Sequence, residues 1–259
     1  MKTNTLGFIG GGRITRVFLQ AFKNKSIEFD SVDVYDTNKE VLVKLKEQFP
    51  DIVTTESVTG PSEKDMVILA VHPPVMMETL NNIKDKVNAE SIILSLAPKI
   101  SIDKMSKILP SNKIVRMIPN ATSIINMGYN PLSFHDSFTK EEKEKFINTF
   151  SILGHTFEVE EYKLEGYAIT SAMLPTYFWF QWEKMEEIAE GTGLTNIEAE
   201  DTLYNTLKFA NEIFYRSDYD HQEVIDLIPV KPIGENESEI NSILGAKLIG
   251  LYDKIKSVP

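Results

Sequence analysis

An α/β fold is predicted for this chain of 259 residues: a doubly wound parallel sheet followed by an all-helical segment. Three observations predict it. Short, largely apolar runs at Leu6–Ile9, Asp65–Val71, Ser91–Ser95 and Lys113–Ile118 alternate with helical patterns over the first 160 residues. The runs are continuous rather than alternating, as expected of strands buried on both faces. From Leu164 onward only helical periodicity remains.

The chain opens with a strand, Leu6–Ile9, and Gly10, Gly11 and Gly12 follow it at once. After them Ile14, Val17, Phe18, Ala21 and Phe22 recur at helical spacing. Strand, glycine turn and helix in this order begin a dinucleotide-binding βαβ unit of the Rossmann type. Gly10 allows the tight turn, and Gly12 lets the backbone approach a pyrophosphate. The free N–H groups and positive dipole end of the helix then receive the phosphates, with Gly11, Arg13 and Ile14 completing the cradle. Thr15 stands at the third position, where Gly or Ala is usual. A glycine pattern alone is weak. Here it gains weight from the strand before it, the helix after it and the acid that follows at the right distance.

That acid is Asp36, closing a second strand at Val32–Asp36. A carboxylate there accepts hydrogen bonds from the ribose hydroxyls of NAD and repels the 2′-phosphate of NADP. With Thr37 beside it, NAD is expected over NADP. Arg13 leaves the second cofactor open, since its side chain suits adenine stacking or a phosphate as well as plain solvent.

Asn38 is placed to cap a helix carrying Val41, Leu42 and Leu45. An extended piece at 51–55 follows, then the strand that ends at His72-Pro73. Helices are expected near Val75–Ile83 and Ser101–Ile108, and a charged one over Thr139–Leu153. One more strand is expected at His155–Val159. Ligands of such sheets cross the carboxyl ends of the strands. Those ends are Gly10–Gly12, Asp36, Ala70–Val71–His72–Pro73, Ala97–Pro98 and Pro119–Asn120.

The acidic run Glu158–Glu161 marks the expected boundary, giving a dinucleotide-binding domain over 1–160 and a helical domain over 161–259. In the second, Phe178, Trp182, Met185 and Ala189 share a stripe, and Thr195 with Glu198 forms a capping pair for the next helix. The last helix carries Ile240, Ile243, Leu244, Leu248 and Leu251. Apolar faces this wide suit burial against a second copy, so a homodimer or higher homo-oligomer is expected.

A net charge of −11 argues against nucleic acid or an anionic membrane as partner. Cysteine is absent, which removes disulfides, thiolate metal sites and cysteine nucleophiles. No apolar run approaches a membrane span, and the N-terminus enters a strand without a signal segment, so a cytoplasmic protein is expected. The histidines, at 72, 135, 155 and 221, lack metal-ligand spacing, and no metal is expected. No nucleophile elbow or P-loop occurs. A dinucleotide is the one cofactor advertised, and hydride transfer is its chemistry.

Gly7-Phe-Ile-Gly-Gly-Gly-Arg-Ile14, Val67-Ile-Leu-Ala-Val-His-Pro73 and Arg116-Met-Ile-Pro-Asn120 together resemble the N-terminal half of the pyrroline-5-carboxylate reductases. The helical half, with Pro175-Thr-Tyr177, resembles that family's dimerisation domain. The resemblance implies a proline-forming reductase that passes hydride from NAD(P)H to a cyclic imine. It implies that Asn120 and the backbone of Ala97–Pro98 position the nicotinamide. Pro119, Ser171 and Tyr177 would line the substrate pocket, in a site that borrows from the partner subunit.

Departures gather on the substrate side. The family's S-G-S-G-P-A-Y is matched by Ser171-Ala-Met-Leu-Pro-Thr-Tyr177, and its P-G-G-T-T by Pro232-Ile-Gly-Glu-Asn236. In the family that helix start receives the substrate carboxylate. Here Glu235, Glu237 and Glu239 crowd it, and Asn236 with Glu239 is expected to cap it internally. Two alternatives therefore stay open: an oxidoreductase for a substrate without the carboxylate, or a dinucleotide-binding paralogue without turnover. A β-hydroxyacid dehydrogenase fits less well, because residues 166–185 supply only Lys184, without the expected glycines.

Overall fold

The structure is a computed structural model and describes residues 5–256. It divides into two compact units, Met1–Ala172 with Leu251–Pro259, and Met173–Gly250. The elements of the first are β1 (Thr5–Ile9), α1 (Arg13–Asn24), β2 (Ser31–Tyr35), α2 (Lys39–Gln48), β3 (Val53–Thr55), α3 (Thr59–Ser62), β4 (Met66–Leu69) and α4 (Pro73–Ile83). They continue with β5 (Ile92–Ser95), α5 (Ile102–Ser106), β6 (Ile114–Met117), β7 (Gly128–Phe134), α6 (Lys140–Phe150), β8 (Gly154–Glu158) and α7 (Leu164–Tyr167).

Eight strands form one sheet in the order β3-β2-β1-β4-β5-β6-β7-β8. The first six are parallel, as the continuous apolar runs predict. β7 then returns antiparallel to β6, and β8 lies parallel to β7. Apolar cores cover both faces of the sheet. On one, Phe8, Phe18, Phe22, Phe146 and Phe150 meet edge-on, tilted or stacked. On the other, Met76, Leu80, Ile83 and Met105 close over Val67, Leu69 and Ile93.

The cap read from the sequence at Asn38 is present, and α6 has one that was not read. The Asn38 side chain accepts from the N–H groups of Glu40 and Val41, and Thr139 with Glu142 makes a reciprocal capping box. β7 was not anticipated. Pro131 lies inside it and cannot donate to a ladder, which argues against a strand on sequence grounds. Its carbonyl still accepts from Ile118 N–H at 3.0 Å.

The first unit extends past the acidic run at 158–161 because that run is tied to the sheet. Arg116 of β6, 1% exposed, pairs with Glu161 and with Glu165. The helical path continues from α7 into a π-turn at Ala168–Ala172.

The second unit holds α8 (Trp179–Gly191), α9 (Asn196–Arg216), α10 (His221–Asp226) and most of α11 (Glu237–Ile255). The Thr195–Glu198 capping box opens α9 as expected. One expectation is corrected. Asn236 is not the N-cap of α11, because it ends a 3-10 turn, Gly234–Asn236, that runs straight into that helix. The first helical turn thus begins ahead of Asn236, leaving no cap for Asn236 and Glu239 to form.

Candidate dinucleotide and substrate site

Every strand end singled out from the sequence meets one edge of the sheet. Gly10 has φ +108°, a conformation that glycine adopts freely, and a Cβ there would stand 2.6 Å from the Ala70 carbonyl oxygen. Its N–H donates to Tyr35 O at 2.8 Å, and the Thr15 hydroxyl donates to its carbonyl at 2.6 Å. Thr15, completely buried, thus ties the first helical turn back to the glycine turn, a role that Gly or Ala cannot fill.

Gly12 differs. A Cβ added to it would meet nothing within 4 Å, so the space over this backbone is open to a ligand. Gly12 is the N-cap of α1 and offers no side-chain cap, and the first turn carries no acid. Arg13 and Arg16 stand there instead, exposed and against the helix dipole. An anion at this helix start would reverse that penalty.

Asp36 follows β2 directly. Its carboxylate accepts the Gly11 N–H at 2.7 Å through one oxygen and the Asn38 N–H at 2.8 Å through the other. Both oxygens are thereby oriented and keep lone pairs for further donors. Thr37 beside it is exposed. Next along the edge come Ala70 and Val71, then His72, the N-cap of α4, with Pro73 at its first position. Ala97 is buried at the end of β5 and Pro98 half-buried beside it. These residues fit a dinucleotide: glycine backbone and helix start for phosphates, a fixed carboxylate for a ribose.

At the end of β6, Pro119 is half-buried and Asn120 buried. The Asn120 side chain is fully engaged. Its oxygen accepts from Thr122 N–H at 3.0 Å and from the Thr122 hydroxyl at 2.7 Å. Its amide donates to the Ser171 carbonyl at 3.1 Å and the Ser171 hydroxyl at 3.2 Å. The Ser171 hydroxyl in turn donates to Tyr129 O at 3.2 Å. Ser171 stands on the π-turn, an irregularity often found where helices carry function. Asn120 therefore fixes Ser171 through its side-chain amide and Thr122 through its side-chain oxygen.

The remaining predicted residues lie on the second unit. Tyr177 ends a 3-10 turn, and burial pushes its phenol above the ordinary value. Glu235 and Asn236 are exposed at the start of the last helical run. The sequence reading missed the pairing of Arg116 with Glu161 and Glu165. Nothing local announces it, since the partners are 45 and 49 residues apart. Among the described residues no cluster of His, Asp and Glu has the arrangement of a metal site.

A parallel sheet of this order, with a glycine turn and fixed acid at its carboxyl edge, is the architecture of a Rossmann-type dinucleotide-binding fold. Residues 5–99 match a family described as NADP oxidoreductase, coenzyme F420-dependent. Pyrroline-5-carboxylate reductase of Escherichia coli is 24% identical over 197 residues, 75% of this chain and 73% of that protein. The enzyme of the same name from Methanosarcina acetivorans is 22% identical over 205 residues, 78% and 75%. Among solved structures, Plasmodium falciparum pyrroline carboxylate reductase with NADP bound gives a TM-score of 0.77 at 20% identity, covering 98% of this chain and 96% of that one. The Coxiella burnetii pyrroline-5-carboxylate reductase gives 0.69 at 25%, covering 98% and 95%. By sequence and by fold, this chain is similar to the pyrroline-5-carboxylate reductases.

Proposed function

We propose that the protein reduces the C=N bond of a five-membered cyclic imine, pyrroline-5-carboxylate, to proline. A bound reduced nicotinamide dinucleotide supplies the hydride. The observation that carries the reading is the shared sheet edge: the open backbone of Gly12, the oriented Asp36 carboxylate and the Asn120–Ser171 pair all lie along it.

Each residue's part follows from its bonds. The N–H groups at the start of α1, with Arg13, hold phosphate, and Asp36 accepts from the ribose hydroxyls. A second negative group at the ribose would face that carboxylate, so NADH is the preferred cofactor over NADPH. Ala97–Pro98 supplies the wall for the reacting ring. Asn120 holds Ser171, whose hydroxyl presents a polar contact to the substrate side. Pro119, next to Asn120, is a candidate lining residue.

A second copy completes the helical half. Within Met173–Gly250 only Ala199 is buried, while Phe180, Ile197, Phe209 and Ile243 are more than half exposed. Helices without a core of their own need a partner to remove that surface from water. We propose a homodimer through α8, α9 and α11. None of the described helices is long and apolar enough to cross a membrane, and a cytoplasmic location accords with the absence of cysteine.

One observation favours a second reading of the substrate. Glu235, Glu237 and Glu239 are exposed around the first turns of the last helical run, where they disfavour an anion such as a carboxylate. An imine lacking that group is the alternative. The deciding experiment is NADH and NADPH binding by fluorescence, followed by NADH oxidation with pyrroline-5-carboxylate and with unsubstituted 1-pyrroline. Turnover of the first supports the main reading, turnover of the second alone supports the alternative, and binding without either defeats both.

A further inference from the structure

We propose that Glu165 is a positioning residue: its buried carboxylate sets the shape of the Ala97–Lys99 turn, against which the reacting ring lies. The inference rests on the function proposed above. Lys99 has φ +78°, a left-handed conformation that costs a side-chain-bearing residue energy unless its surroundings impose it. The surrounding group is identifiable. Lys99 N–H donates to Glu165 Oε1 at 3.1 Å.

The same carboxylate is gripped from the sheet. Arg116 Nη2 lies 2.5 Å from Glu165 Oε1, and Arg116 Nη1 lies 2.8 Å from Glu161 Oε1. Glu161 Oε1 also accepts Ile102 N–H at 2.8 Å. Both ends of the segment 99–102 are therefore pinned by acceptors on one short stretch, 161–165, itself held to β6 by a single guanidinium. The side chains of Arg116 and Glu165 are 1% and 2% exposed. Such pairs give little stability over a well-packed apolar substitute, so what this one contributes is geometry.

That geometry reaches the site from two sides. Toward the cofactor, Lys99 follows Ala97 and Pro98 directly. Toward the substrate, Ser171 lies six residues past Glu165 on the same helical path. One carboxylate thus fixes the turn beneath the ring and the helix that presents Ser171. Hydride transfer is sensitive to displacements of about 1 Å, so a slack turn slows chemistry while leaving the distant phosphate and ribose contacts intact.

Glu165→Leu and Lys99→Pro test this. The second removes the N–H and forbids the positive φ without touching the buried pair, so it carries the test if Glu165→Leu does not fold. Amide exchange over residues 96–101 should quicken about tenfold or more in Glu165→Leu. In both variants kcat should fall about tenfold or more while the NADH Kd moves less than about threefold. Adding Lys99→Gly to Glu165→Leu should restore part of kcat, because glycine holds this φ unaided. Unchanged exchange in Glu165→Leu overturns the proposal, as does a parallel fall of kcat, NADH affinity and thermal stability with no rescue by glycine. Wild-type protein that binds NADH but turns over no imine defeats the functional reading alone. The exchange measurement then still decides the role of Glu165.

Discussion

The carboxylate of Asp36 accepts the backbone N–H of Gly11 at 2.7 Å, so the acid that follows β2 is bonded directly to the glycine turn that follows β1. The candidate ribose acceptor and the candidate phosphate turn are in this way held together. Asp36→Ser removes the charge that faces a 2′-phosphate and the strong acceptor for the ribose hydroxyls. Hydrogen bonds to a charged group contribute about 1.5–3 kcal/mol, so NADH affinity should fall roughly ten- to a hundredfold. NADPH affinity should hold or rise. Fluorescence titration of both cofactors checks it, and an equal loss for the two would refute the assignment of Asp36 as the selector.

Gly10 and Gly12 are two residues apart and should respond oppositely to alanine. At Gly10 the positive φ and the approach to Ala70 O make Gly10→Ala destabilising by at least about 2 kcal/mol, visible in the melting temperature. At Gly12 the new methyl meets no protein atom, so Gly12→Ala should unfold within about 1 kcal/mol of wild type. Its cost appears in binding, because the methyl occupies the space left for phosphate. A Gly12→Ala protein with full NADH affinity would show that phosphate does not lie over this backbone.

The parallel half of the sheet was legible because Met66–Leu69 and its counterparts are buried on both faces and so write largely apolar runs. β7 was not, since Pro131 and the buried Asn130 break its pattern. Asn130 is polar for a tertiary reason: its side-chain oxygen accepts from Asn120 N–H at 2.9 Å and from the Ser123 hydroxyl at 3.1 Å. Capping pairs such as Thr195–Glu198 are local and could be read directly. The expected cap at Asn236 failed because a preceding 3-10 turn had already begun the helix. Within the candidate site, the glycine turn and Asp36 were readable from spacing. The bonds that consume Asn120, and the carboxylates around Arg116, depend on strands and helices meeting from distant parts of the chain.

The Asn120–Ser171 pair separates positioning from contact. Ser171→Ala keeps the bond from the Asn120 amide to the Ser171 carbonyl, so the fold should be affected by no more than about 1 kcal/mol. Turnover should drop while NADH affinity stays constant. Asn120→Ala removes both bonds to Ser171 and both from half-buried Thr122, costing about 1–3 kcal/mol. Steady-state kinetics beside thermal melts distinguish the two. Normal turnover in Ser171→Ala would remove the hydroxyl from the substrate side.

Acid stability should depend on Glu142. The bond from Lys113 holds its carboxyl below the ordinary value of 4.5, aided by Thr139 N–H in the capping box. A lowered carboxyl contributes stability that is fully present above the unfolded value and disappears as the pH falls through the folded one. Glu142→Gln should therefore lower stability by roughly 1 kcal/mol at pH 7 and by progressively less below 4.5. Denaturant melts at neutral and acid pH measure this, and a deficit that stays constant with pH would contradict it.

The helical half should be stable only as part of an assembly. Isolated helices gain most of their stability from burying an apolar face, and here Ala199 is the one buried residue of Met173–Gly250. Phe209 and Ile243, 58% and 53% exposed, belong to faces that a second copy would cover. Phe209→Glu and Ile243→Glu place a charge on those faces, and a charge buried without a partner costs several kcal/mol. Sedimentation should show the wild type as a dimer or larger and each variant shifted toward monomer, with helical signal lost on dilution as mass action requires. A wild-type monomer that keeps its full helical content when diluted would mean that these faces find their cover within one chain.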